Sequence, residues 1–244
     1  MAKKTAPESE DLAAEPRKRG HGVQKVYEKL RQSILDLTLP PGSPLDEMRL
    51  AEEFNLSRTP IREAMVRLAA EGLLTTLPNR NTIVASIDFI NLPVYFEALT
   101  LMYRVTTRSA AVHRRPEHLV RIRLYEAAYA DAVTRRDALG MIASNRDFHV
   151  AMAEAGGNTY FTQLFARLLD EGRRVLRLYY QSFGDDLPHQ YVDEHNDMVT
   201  AVEAGDADRA EALAATHAAQ IVRQIQSYLA RDTASGVDLS GLGR

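Results

Sequence analysis

The chain has 244 residues, 45% of them hydrophobic, no cysteine and a formal net charge of -3. That is apolar material for one or two packed domains, and the missing thiols exclude disulfides and thiolate metal sites. No apolar run approaches the ~20 residues of a membrane helix, and residues 1–20 lack the apolar stretch of a secretory signal, so the expected compartment is cytoplasmic, with no membrane partner.

In chain order, residues 1–20 are charged and small without periodicity and read as a disordered tail. From Val23 the apolar positions Val26, Tyr27, Leu30, Ile34 and Leu37 follow in steps of three and four, one face of a helix. The run LTLPPGSPL stops it, because prolines and glycine do not continue a helix. Asp46-Glu47 opens a second, short helix with Leu50, Ala51 and Phe54 on one face. A third follows with Thr59 as cap and Pro60 at the first helical position, burying Ile61, Ala64, Met65 and Leu68 and ending at Gly72. LLTTLP and NTIVASI flank Asn79-Arg80 and read as a β-hairpin. Beyond residue 90 the pattern is about six amphipathic helices, broken at Arg115-Pro116, near Gly140, at Gly156-Gly157-Asn158, at Gly184–Pro188 and at Gly205-Asp206. The expected fold is mainly α: a winged helix-turn-helix (three helices plus a β-hairpin) over 21–87, an all-helical effector-binding and dimerisation bundle over 90–231, and a flexible tail over 232–244.

Residues 21–87 carry equal numbers of basic and acidic side chains, so DNA binding has to come from where the arginines stand. Arg58 and Arg62 are four apart and share a side of the third helix. In a helix-turn-helix this end of the second helix reaches base edges, where guanidinium forks read guanine O6 and N7 or clamp phosphate. Arg80 stands at the hairpin tip. Leu39-Pro40-Pro41-Gly42, Leu50-Ala51, Leu56-Ser57-Arg58-Thr59-Pro60-Ile61-Arg62-Glu63-Ala64 and Leu68–Leu74 together make Val26–Ser86 resemble the GntR family of bacterial regulators. The resemblance implies that Ser57, Arg58, Thr59 and Arg62 face DNA, with the wing at Asn79 and Arg80 and a further contact from Arg49. Asn81 stands where the family often has glycine after the wing arginine; asparagine tolerates a positive φ.

Three histidines lie in separate helices among apolar or small residues: His149, His195 and His217. Asn145 is one turn before His149. Three imidazoles and an oxygen ligand would suit a divalent transition metal such as zinc or nickel, although spacing alone leaves open three unrelated core histidines. His21, His113, His118 and His189 sit beside charged, prolyl or polar residues and read as solvated. The segments Asn145–His149, Gly157-Asn158, Glu194-His195, Ala204-Gly205-Asp206 and His217 make residues 90–230 resemble the FCD effector domain of the FadR-like branch of the same family. That resemblance implies a metal held by Asn145, His149, His195 and His217, with an organic acid or sugar acid against it. Leu99 stands where the family often places an effector-pairing arginine, so either the effector lacks that carboxylate or Arg104, Arg108 or Arg174 supplies the pairing; Tyr103 reads as a pocket wall or as a buried aromatic of the bundle.

The function expected is a homodimeric, DNA-binding repressor on a pseudo-palindromic operator, controlled by a small metabolite, and not an enzyme. The competing reading is a metal-dependent hydrolase fused to a DNA-binding module. Glu194, its nearest general base, points ~100° off the His195 face, and no HExxH motif is present.

Overall fold

The computed structural model describes residues 21–234 apart from 79, 183 and 185–188, with side chains to residue 230. The expectations for residues 1–20, for Asn79 and for residues 235–244 therefore lie outside the described residues. Contacts divide the chain into two units, one built from residues up to Gln32 with Pro44–Val84, the other from Ser33–Ser43 with residues from Ala85 onward.

The first unit contains α1 (His21–Leu35, shared at its end with the second unit), β1 (Pro44–Leu45), α2 (Glu47–Phe54), α3 (Arg58–Ala70), β2 (Leu74–Thr76) and β3 (Thr82–Val84). Val26 and Leu30 of α1, Leu50 of α2, Ile61, Ala64 and Leu68 of α3 and Leu74 and Val84 of the hairpin are buried. The helical ones among them are the i, i+3, i+4 positions of the sequence turned inward. The hairpin pairs Leu74 with Val84 and Thr76 with Thr82. β1 adds to β3 in the order β1-β3-β2. That strand has no alternation to betray it, being two residues that begin with a proline, as edge positions allow.

Three local expectations are corrected. Leu37 is outside α1: the helix ends at Leu35, and Leu37 takes a left-handed φ of 60°. Its N–H and that of Leu39 satisfy the carbonyls of Ile34 and Ser33, which closes the helix before Pro40 as a glycine would. In α3 the cap is Ser57, without a side-chain cap bond, and Pro60 is the third helical residue rather than the first. The first N–H groups of any helix all lack internal partners, so proline fits either register. The break placed near Gly140 lies instead at Arg135–Asp137; Asp137 caps α6 by accepting from Gly140 N at 2.9 Å. A Cβ on Gly140 would strike the Asp137 carboxylate, so this glycine makes room for a cap rather than breaking a helix.

The second unit holds α4 (Leu92–His113), α5 (Pro116–Thr134), α6 (Ala138–Ala155), α7 (Thr159–Gln181), α8 (Gln190–Ala204) and α9 (Ala207–Ala234). α4 packs along α9 and also meets α6, α7 and α8; α5 lies on α6 and α8. Asn158 caps α7 by accepting from Tyr160 N and Phe161 N. Tyr129, Phe148, Phe165, Met141, Met152 and Met198 fill the middle of the bundle, and the polar groups described next are embedded among them.

Candidate functional site

The α3 face comes first. Ser57, Arg58, Thr59 and Arg62 are exposed at its N-terminal end, and Arg49 is exposed on α2. Glu47, the first residue of α2, accepts from Arg58 Nη2 at 3.0 Å and from Arg62 Nε and Nη2 at 3.1 and 2.9 Å. The bonded Arg62 guanidinium holds the Glu47 carboxyl below the usual carboxylate range. An open groove of about 610 Å³ runs beside these arginines, lined by Val23, Thr59, Glu63, Val66 and Arg67 as well. Arg67 is occupied elsewhere: its guanidinium lies 3.9 Å over the Tyr27 ring and bonds Gln24. At the wing, the positive φ falls on Arg80 (65°) and not on Asn81. Leu77 N donates to Asn81 O and Arg80 N to Leu77 O, which leaves the Arg80 side chain exposed at the tip.

The second unit brings three histidines from three helices to one place. His149 of α6, His195 of α8 and His217 of α9 are each at most 1% exposed, and one ring nitrogen from each lies within 4.8 Å of the others. Their ring centroids are 5.0 to 5.5 Å apart. Aromatic neighbours fix the rings: Phe148 stacks on His195 at 4.4 Å, Tyr129 lies 4.6 Å from it, and Tyr103 stands edge-on to His149 at 4.6 Å. Burial, then the neighbouring imidazoles, pushes His149 well below the usual histidine range; burial, then His217, does the same to His195. That direction favours the neutral form, in which each ring offers one lone-pair nitrogen.

Both nitrogens of His149, both of His195 and Nε2 of His217 are buried without a hydrogen-bond partner. An unsatisfied buried polar atom costs about 1–3 kcal/mol, and packed cores rarely contain one. One nitrogen from each ring can face a common point, and three converging imidazole donors fit a borderline cation with imidazole preference. His217 Nδ1 alone is engaged, donating to Glu194 Oε2 at 2.6 Å. Burial raises the Glu194 carboxyl, but the bonds to His217, Gln190 and Gln220 outweigh it and the net shift is downward. This carboxylate–imidazole contact is the arrangement that orients metal-bound histidines. The sequence offered only the adjacency of Glu194 to His195; its true partner is 23 residues away.

Asn145 is buried one turn before His149, and its side chain shares a hydrogen bond with Tyr103. Leu99 is buried one turn before Tyr103 on α4. Arg104 is not brought to the centre. It stands at the surface with its guanidinium 2.6 Å from Glu211, since one residue past Tyr103 is ~100° around the helix. Arg108 pairs with Asp208 and Glu211, and Arg174 donates to Ala85 O at 2.7 Å.

Known proteins resemble this chain along most of its length. Residues 23–84 match the bacterial regulatory proteins of the gntR family, and residues 95–220 match the FCD domain. The chain belongs to the GntR family. This GntR-family regulator is 26% identical over 210 residues to the transcriptional repressor RspR of Escherichia coli K12, covering 83% of this chain and 90% of that one. It is 30% identical over 178 residues to the repressor NanR of Cronobacter sakazakii, covering 65% and 68%. Its fold matches E. coli McbR/YncC with a TM-score of 0.74 at 20% identity, over 85% and 98% of the two chains. Family and relatives are transcription regulators and not enzymes. Among the described residues no helix is long and apolar enough to cross a membrane.

Proposed function

We propose that this DNA-binding regulator is a repressor whose operator affinity is set by an organic acid or sugar acid bound beside a divalent transition metal, zinc or nickel, in the three-histidine centre. The observation that carries the reading is the convergence of one ring nitrogen from each of three buried histidines, in a core that leaves His149 and His195 without any hydrogen-bond partner. His149, His195 and His217 are the proposed ligands, with the Asn145 carbonyl as a fourth. Imidazole and amide ligands bring no negative charge of their own, so a bound dication keeps its charge and supplies the attraction for an anionic effector. Glu194 fixes the His217 tautomer, and Tyr103, with Leu99 behind it, forms one wall of the effector site. At the other end of the chain, Ser57, Arg58, Thr59, Arg62, Arg49 and Arg80 are the proposed DNA contacts. A homodimer would present two α3 helices to a pseudo-palindromic operator. The outward face of α5 supports a second copy: Val120 and Leu124 are 72% and 63% exposed, with Ala127 and Ala128 exposed on the same side. The engagement of Glu194 by His217 takes away the base that the hydrolase alternative requires.

Metal analysis of the purified protein beside His149→Ala, with thermal shifts against a panel of organic and sugar acids, tests the reading. Stoichiometric metal lost in the variant, plus a stabilising acid whose effect needs the metal, is the expected outcome. No metal in either protein and no stabilising acid would defeat it.

A further inference from the structure

We infer that Glu47 is a specificity-determining positioning residue, which holds the Arg58 and Arg62 guanidiniums in one fixed fork and discounts the attraction of DNA of any sequence. The inference rests on the reading that these two arginines face the major groove.

The geometry is that of a holder. Glu47 begins α2, immediately after the cap Asp46, whose carboxylate accepts from Arg49 N at 2.8 Å. Its side chain is only 25% exposed, against 58% and 62% for Arg58 and Arg62. A carboxylate seated beneath two outward guanidiniums leaves their outer donors facing solvent. Arg62 uses Nε and one Nη2 hydrogen on Glu47, which leaves Nη1 and the second Nη2 hydrogen, the edge that can address guanine O6 and N7. Arg58 commits only Nη2.

Two consequences follow from the physics. A free arginine side chain loses rotamer freedom when it is ordered on a base; one already held loses less, so binding in the right register is favoured. Non-specific attraction, in contrast, depends on net positive charge near phosphate. One carboxylate between two guanidiniums halves that charge, so wrong sequences lose attraction while the right one keeps its hydrogen bonds. A plain α2–α3 staple would instead contribute to stability and leave the ratio of the two affinities alone.

The test begins with selection by the wild-type chain from a random pool of duplexes about 25 bp long, enough for two half-sites. Affinities for the selected duplex and for a shuffled duplex of the same composition are then measured for wild type, Glu47→Ala and Glu47→Gln at several salt concentrations. For Glu47→Ala we expect roughly tenfold weaker binding to the selected duplex, equal or tighter binding to the shuffled one, and a steeper salt dependence on the shuffled one by about one ion. Glu47→Gln, which keeps the shape and one acceptor but no charge, should lie between and carries the test if the alanine variant melts early. Equal losses on both duplexes, or an unchanged ratio, overturn the inference. A wild-type chain that enriches no sequence overturns the operator reading beneath it, a result visible before any variant is made.

Discussion

His217 differs from His149 and His195 by one hydrogen bond. With Nδ1–H committed to Glu194, its proton is fixed on one side of the ring and the Nε2 lone pair on the other. Outer carboxylates of this kind typically account for 10- to 100-fold in metal affinity. Glu194→Ala should therefore weaken zinc binding by roughly that factor while all three histidines remain, with Glu194→Gln, still an acceptor, losing less. Competition against a chromophoric chelator reads the difference, and an unchanged affinity would show that the contact is only structural. The three histidines were legible in the sequence because each interrupts an apolar helical pattern. Their convergence and the Glu194–His217 pair were not, because both depend on how α6, α8 and α9 lie against each other. Glu47 was hidden for the same reason: in the sequence it is one more acid at a helix start, and its arginines are 11 and 15 residues away.

Between elements, the clearest packing statement concerns α4 and α7. Gly172 is buried in the interior of α7, where glycine ordinarily costs about 1 kcal/mol relative to alanine. A Cβ there would run into the Tyr95 hydroxyl of α4, which donates to Leu168 O at 2.8 Å. Overpacking costs about 1–3 kcal/mol against a propensity gain of about 1 kcal/mol, so Gly172→Ala should lower stability by up to about 2 kcal/mol. In a Tyr95→Phe background the obstructing oxygen is gone and the same substitution should become neutral or stabilising. Denaturant unfolding of the four proteins of this cycle measures the coupling, and additive effects would show that α4 and α7 simply slide apart. No sequence pattern announces this glycine. The boundaries that could be read, such as Arg115-Pro116 and Gly205-Asp206, are those where backbone chemistry alone stops a helix. Those misread, at Leu37, Pro60 and Gly140, are places where a neighbouring cap or turn decided the register instead.

For the whole molecule, a net charge of -3 leaves little general attraction to DNA, and operator recognition has to rest on a few placed side chains. Regulation then becomes a coupling free energy between two sites, typically about 1–3 kcal/mol. Such coupling is reciprocal: an acid that weakens the selected duplex by some factor must itself bind the duplex-saturated protein more weakly by the same factor. Titrating the acid calorimetrically into free and duplex-bound protein should give equal factors. His149→Ala should abolish both shifts while leaving the duplex affinity without acid within about threefold, a change below 1 kcal/mol, because the proposed DNA contacts and the histidine centre belong to different units. If His149→Ala instead lost duplex binding outright while its thermal unfolding stayed cooperative, the centre would be a requirement of the DNA-competent state. The acid would then be acting on that requirement and not as a separate signal.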